Sequence, residues 1–162
     1  MAYPQVSIET DAGTIVVELW NDVAPNHAAN FIKLATQNFY DTTGFHRILP
    51  NFVIQGGCNR GDGTGGPGWN VKAEFNDRKH EKGVLSMARS AHPDSAGSQF
   101  FICLSREGCT HLDKQYTAFG KVISGIEVVE KTASTPIDRH SGRPLGAMPK
   151  MTKVREIATA TA

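Results

Sequence analysis

The sequence predicts a β-dominated fold, an antiparallel barrel or sandwich, and three observations carry that expectation. The chain opens on two β-branched runs, QVSIET and TIVVELW, split by the turn signal DAG at Asp11–Gly13. Short apolar segments bounded by glycine then recur along its length. Only two stretches show helical periodicity. Many short strands with so few helices close into a barrel or stack in two layers.

Each element has its own signal. In the first hairpin Val6 and Ile8 form one apolar face, and Ile15, Val17 and Leu19 another. Residues 25–38 read as an amphipathic helix, with Pro25 near its start and Ala28, Phe31, Ile32 and Ala35 at helical spacing. Two strands follow, GFHRI and FVIQG, joined by LPN as a tight turn. From Gly56 to Gly68 glycine is too frequent for regular structure. Further strands fall at GVLSMA (83–88), SQFFICL (98–104) and YTAFGKVI (116–123). A second helix is signalled at SGIEVVEKTA, where Ser124 and Glu127 fit a capping box. Residues 135–149 are loop by composition, KMTKVREIA supplies a closing strand, and 158–162 form a frayed tail.

Composition narrows the function classes. The 162 residues suit a single domain, 1–162, and the 40% hydrophobic content is ample for one core. Seventeen basic residues nearly cancel sixteen acidic ones, which argues against a nucleic-acid or membrane-surface partner. The beginning lacks the pattern of a signal peptide, and no apolar run is long enough to span a membrane. Three cysteines, Cys58, Cys103 and Cys109, form an odd set in a chain that needs no staples. These features predict a soluble, cytoplasmic monomer.

The familiar catalytic apparatus is missing. Gly61–Gly66 spells G-x-G-x-x-G, but Pro67, Gly68 and Trp69 follow, so no helix opens there to receive a pyrophosphate. The loop also lacks the Lys–Ser/Thr of a P-loop, and a surface loop with permissive backbone is the better reading. Cys103, Cys109 and His111 lack the second ligand pair of structural zinc, so no metal and no cofactor is expected. AGSQFF around Ser98 is not a nucleophile elbow, and no carboxylate pair lies in an apolar run. A thiol redox role for Cys58 or Cys103 would require an exposed, acidic thiol.

What remains is an unusual set of long polar side chains. Arg47, Gln55 and Gln99 lie in apolar or glycine-rich strands beside Phe45, Phe52, Phe100 and Phe101, with Leu112 further on. Either these polar groups alternate outward while the phenylalanines fill the core, or the apolar setting is a pocket and the charge is its purpose.

FHRILPNFVIQGG, GTGG, GVLSMAR, GSQFFICL and HLDKQYTAFGKV, in that order, resemble the cyclophilin family of peptidyl-prolyl isomerases. The resemblance runs from Val6 to Ile157 and implies an eight-stranded antiparallel β-barrel capped by two α-helices. It implies that Arg47 is the catalytic arginine and Gln55 the glutamine beside it. Phe52, Val53, Phe101 and Leu112 would form the pocket for the substrate proline ring, with Ala88, Arg89 and Gln99 along the groove for preceding residues. His111 and Tyr116 complete the implied substrate-binding set, at positions where many members carry tryptophan and histidine. Val53 replaces the common pocket methionine, and RSAHPDSA is one residue longer than in the shortest members.

The implied partners are proline-containing peptides and unfolded or flexible protein segments. Cyclosporin is expected to bind with reduced affinity because His111 replaces the tryptophan, and the departures favour a bacterial-like member. The rival reading is a proline-peptide binding or scaffold module that needs little turnover.

Overall fold

The computed structural model describes residues 3–157, so the tail expected at 158–162 lies outside the described residues. Eight antiparallel strands form one curled sheet: β1 (Gln5–Thr10), β2 (Gly13–Leu19), β3 (Gly44–Leu49), β4 (Val53–Cys58), β5 (Val84–Met87), β6 (Phe100–Cys103), β7 (Ala118–Ser124) and β8 (Met151–Ile157). Their order is β3-β4-β6-β5-β7-β2-β1-β8. The sheet curls until its two ends meet. Gly44 bridges Lys150, Phe45 N–H donates to Pro149 O at 2.8 Å, and Met151 N–H donates to Thr43 O at 2.8 Å. Glycine at 44 keeps this seam close, since a Cβ there would press on the Met148 side chain and lie 3.1 Å from Pro149 O. Arg155 adds a bidentate clamp on Asp41, both contacts at 2.8 Å, tying β8 to the segment before β3.

The first hairpin corrects one expectation. Val6 pairs with Val17 and Ile8 with Ile15, so the two apolar sets share one interior face rather than two. Directly opposed residues in an antiparallel pair point to the same side. The LPN turn is as expected in place and gains a mechanism. Phe52 N–H donates to Leu49 O at 3.0 Å, Pro50 fixes the first corner, and Asn51 takes φ 64. That is the geometry of a type II turn, where asparagine tolerates the left-handed corner.

Helix α1 (Pro25–Thr36) starts with Pro25 in its first turn and packs Phe31 into the barrel mouth. Its cap comes from far along the chain. The Glu74 carboxylate accepts from His27 N–H at 2.8 Å and Asn26 N–H at 3.2 Å, where a negative charge meets the positive helix end. Phe31 meets Tyr40, Phe100 and Phe119 at ring separations of 5.0, 5.3 and 5.5 Å.

The expected second helix is the third in chain order, α3 (Ile126–Ala133), and its capping box does not form. Ser124 ends β7, and Gly125 is the N-cap at φ 88 with no side-chain cap. A Cβ on Gly125 would meet Thr14 O at 2.3 Å, so close backbone approach decides this terminus. A short helix unseen in the sequence, α2 (Arg106–Cys109), runs into a 3-10 turn at Thr110–Leu112. Ser105 caps it, accepting from Gly108 N–H at 3.0 Å.

The barrel interior is one core, but a second apolar cluster lies outside the sheet. Trp20, Val53, Val84, Phe101, Cys103, Cys109, Leu112 and Ala118 form it, with Phe52, Ala88 and Tyr116 packed against it. On β6, Phe100 and Ile102 therefore enter the barrel while Phe101 and Cys103 face the outer cluster. Phe31→Ala is expected to cost about 3–5 kcal/mol, because it removes a fully buried ring from the aromatic nucleus. Urea unfolding tests this, and a loss under about 1 kcal/mol would show that the site collapses around the missing ring.

Candidate active site

One cross-strand row builds the site. Arg47 on β3 pairs with Gln55 on β4, Gln55 with Phe101 on β6, and Phe101 with Ser86 on β5. Partners in a ladder share a face, so four strands deliver these side chains to the same outer surface. The row continues inward through His80, whose Nε2 lies 2.8 Å from Ser86 Oγ and whose ring stacks on Phe101 at 6.3 Å.

A second row lies beside it. Val53 pairs with Cys103 on the same face, and the turn after α2 presses Leu112 onto both through the outer cluster. Phe52 stands at the rim, stacked on His111 at 5.5 Å. Tyr116 meets the edge of Phe101 at 5.8 Å, and the Arg89 guanidinium lies 4.5 Å above the Tyr116 ring.

Together these side chains enclose a cavity of about 120 Å³ lined by Arg47, Phe52, Val53, Gln55, Ala88, Arg89, Phe101, Leu112 and Tyr116. Phe101, Val53 and Leu112 are buried, whereas Arg47 is exposed at the lip. Arg47 Nη1 donates to Gln55 Oε1 at 3.4 Å, its single side-chain hydrogen bond among the described residues.

A chain of hydrogen bonds extends from there. Gln55 Nε2 donates to Gln99 Oε1 at 3.3 Å, and Gln99 Nε2 donates to the carbonyls of Gly63 and Gly65 at 2.9 and 3.1 Å. Gly65 N–H in turn donates to the Cys58 sulfur at 3.1 Å. Burial raises the Cys58 thiol pKa, but the N–H groups of Gly65, Arg60, Asp62 and Gly63 outweigh it and bring the thiol below its ordinary value.

The structure thus gathers nine of the eleven expected site residues around one cavity. Gln99 lines a neighbouring cavity of about 520 Å³, and His111 stands behind Phe52, exposed and outside both linings. The glycine loop, read from the sequence as mere surface, contributes Gly63–Asn70 to the larger cavity. No period marks such a loop, so its place was invisible before the fold. His80 and Ser86 were missed too, although a histidine and a serine in an apolar setting hint at a buried polar pair. Cys103 and Cys109 are buried and unpaired in the outer cluster, apart from the exposed His111.

A closed antiparallel barrel with an arginine-edged pocket on its outer face is the architecture of a barrel-type prolyl isomerase. Residues 5–156 match the family described as cyclophilin type peptidyl-prolyl cis-trans isomerase, and the chain belongs to that family. A peptidyl-prolyl cis-trans isomerase of Synechococcus elongatus is 48% identical over 72% of this chain and 79% of its own length. Peptidyl-prolyl cis-trans isomerase B of Bacillus subtilis is 48% identical over 76% of this chain and 86% of the relative. A crystal structure of a Cryptosporidium parvum cyclophilin type isomerase superposes with TM-score 0.90 at 31% identity, covering 98% of this chain and 99% of the other. The same parasite protein in the presence of the dipeptide Ala-Pro gives TM-score 0.88 at 32% identity over 96% and 99%. The chain is an enzyme, a peptidyl-prolyl cis-trans isomerase.

Three buried histidines predict how stability responds to acid. Burial is the largest influence on His27, His46 and His80 and holds each below the ordinary histidine pKa, even where Glu74 and Asp113 pull the other way. The unfolded chain therefore binds more protons than the fold below about pH 6.5, and stability falls as pH drops through that value. The Arg106 guanidinium holds Asp113 well below the usual carboxylate range, a contribution lost only further down, below about pH 4. The urea midpoint is expected to be lower at about pH 5.5 than at about pH 7.5. A midpoint that is flat or rises on acidification would contradict the neutral histidines.

Proposed function

We propose that the enzyme rotates X–Pro bonds by seating the proline ring among Phe52, Val53, Phe101 and Leu112 while Arg47 donates a hydrogen bond to the proline nitrogen. Ala88, Arg89, Gln99 and Tyr116 line the path of the preceding residues in this reading, with His111 buttressing Phe52. Its substrates are proline-containing peptides and flexible or unfolded protein segments.

The chemistry needs no bond to form or break. Rotation must only overcome amide resonance, against a barrier of roughly 18–20 kcal/mol. In the twisted state the proline nitrogen regains a lone pair that neither planar isomer offers. A donor aimed at it stabilises the transition state selectively, which is what accelerates a reaction. Arginine is suited to this because it stays charged and presents five fixed donors.

The observation that carries the proposal is the position of Arg47: exposed at the lip of the cavity that Phe52, Val53, Phe101 and Leu112 line, with no hydrogen bond among the described residues beyond the one to Gln55. Gln55 accepts from the guanidinium while its own amide is held by Gln99, which supports a fixed guanidinium plane. A charge-assisted hydrogen bond contributes about 1.5–3 kcal/mol, or roughly one to two powers of ten in rate. The remaining acceleration comes from immobilising the ring while the preceding carbonyl swings.

Phe75, Ile123 and Leu145 are the exposed large apolar residues among those described, which supports turnover over scaffolding as the main use of the fold. Free thiols at Cys58, Cys103 and Cys109 support a reducing compartment such as the cytoplasm. His111, stacked on Phe52 without an indole N–H, supports weak cyclosporin binding.

Exchange NMR on a short Ala-Pro peptide tests the assignment. Arg47→Ala is expected to keep the fold, since its side chain is exposed, and to lower kcat/KM by at least roughly one to two powers of ten. Near-normal exchange in the folded variant would reject Arg47 as the donor. Phe101→Ala removes the pocket wall, so peptide affinity and turnover should both fall. Unchanged affinity would move the ring elsewhere.

A further inference from the structure

The proline pocket and the 520 Å³ cavity are neighbours that share Gln55, Ala88 and Arg89 in their walls. A residue preceding proline is confined to extended backbone. In an extended chain alternate side chains face the same way, about 7 Å apart. A substrate that puts its proline ring in the small pocket therefore turns the side chain two residues upstream toward the same protein face, where the larger cavity opens.

The charge of that cavity is one-sided. Its wall consists of Gln55, the glycine loop from Gly63 to Asn70, Ala88, Arg89, Ser90, Ser95 and Gly97–Gln99, and Arg89 is the sole charged residue in it. Several of the other polar groups are already engaged. Trp69 Nε1 donates to Asn30 Oδ1 at 2.8 Å, Ser90 Oγ donates to Ser95 Oγ at 2.7 Å, and Ser95 Oγ to His92 O at 2.6 Å. Gln99 is committed to the loop carbonyls. Asp62 and Asp94, the acids nearest in sequence, are outside this lining; Asp62 accepts from Thr64 N–H and Oγ1 and Asp94 from Ala73 N–H, and neither meets Arg89.

Arg89 itself meets carbonyl oxygens and no carboxylate among the described residues. Nε and Nη2 donate to Gln115 O at 3.3 and 2.8 Å, and Nη1 reaches Ser90 O at 3.0 Å and Ala91 O at 3.4 Å. These four contacts hold the guanidinium over the Tyr116 ring. They fix its position without neutralising its charge, and one of its five N–H groups is left over.

We infer that Arg89 makes the enzyme selective for an acidic side chain two residues before the proline, so that Glu-X-Pro and Asp-X-Pro segments are its preferred substrates. The inference rests on the isomerase reading above and adds the substrate class. A partly exposed ion pair of this kind gives roughly a two- to fivefold preference, and salt weakens it.

Exchange NMR on three peptides, Ala-Glu-Ala-Pro-Phe, Ala-Gln-Ala-Pro-Phe and Ala-Lys-Ala-Pro-Phe, decides the matter with the wild-type protein. The expected order of kcat/KM is Glu above Gln above Lys, with the Glu/Gln ratio roughly two to five in dilute buffer and near one in about 1 M salt. In Arg89→Gln the Glu/Gln ratio should fall to about one, whatever happens to the absolute rate. Exchange in all three peptides with no dependence on the upstream charge would overturn the selectivity and leave the isomerase intact. A Glu preference that survives in folded Arg89→Gln would also overturn the role of Arg89. No exchange with any peptide would overturn the isomerase reading itself, and the selectivity with it.

Discussion

The antiparallel register between β4 and β6 places Ile54 opposite Ile102 on the barrel interior and Gln55 opposite Phe101 on the outside. Nearly everything else follows from that pairing. The interior set joins the Phe31–Phe100–Phe119 nucleus, and the exterior set supplies the pocket wall and the glutamine that holds Arg47. A slip of one residue would exchange the two faces and place Gln55 in the aromatic core. Burial on both faces makes that slip costly, because neither side tolerates the other's residues.

Two-sided burial also explains what the sequence did and did not disclose. Strands such as Gln5–Thr10 alternate because one face meets water, and they were legible together with α1 and the Leu49–Phe52 turn. In Phe100–Cys103 every residue is buried, so alternation vanishes and the inward Phe100 cannot be told from the outward Phe101. The outer cluster was illegible for the same reason, whereas α2, which presses Leu112 onto it, is a four-residue turn too short to show a period. The start of α3 was misread because Ser124 and Glu127 imitate a cap, while the backbone contact of Gly125 with Thr14 decided the matter. Arg47, Gln55 and the phenylalanines stood out as anomalous polar and apolar neighbours, but only the family motifs told which pocket they made.

The glycine loop is a second framework beside the barrel. Its carbonyls hold Gln99, its N–H groups gather at the Cys58 sulfur, and its far side walls the larger cavity. Left-handed φ values at Gly61, Gly63 and Gly68 let the chain turn its polar groups inward in this way. The loop is thus joined through Gln99 and Gln55 to Arg47, a continuous polar path along the rim of the pocket.

The seam of the barrel bears on how the molecule assembles. β8 lies between β1 and the start of β3, and Gln5 pairs with Ile157 across almost the whole described chain. During synthesis the hairpins β1–β2 and β3–β4 can form early, but the curled sheet has no closing strand until residues 151–157 leave the ribosome. Contacts of such long sequence separation form slowly, because loop closure must precede any gain from pairing. This prolyl isomerase is built to finish its own folding last, at its most distant joint.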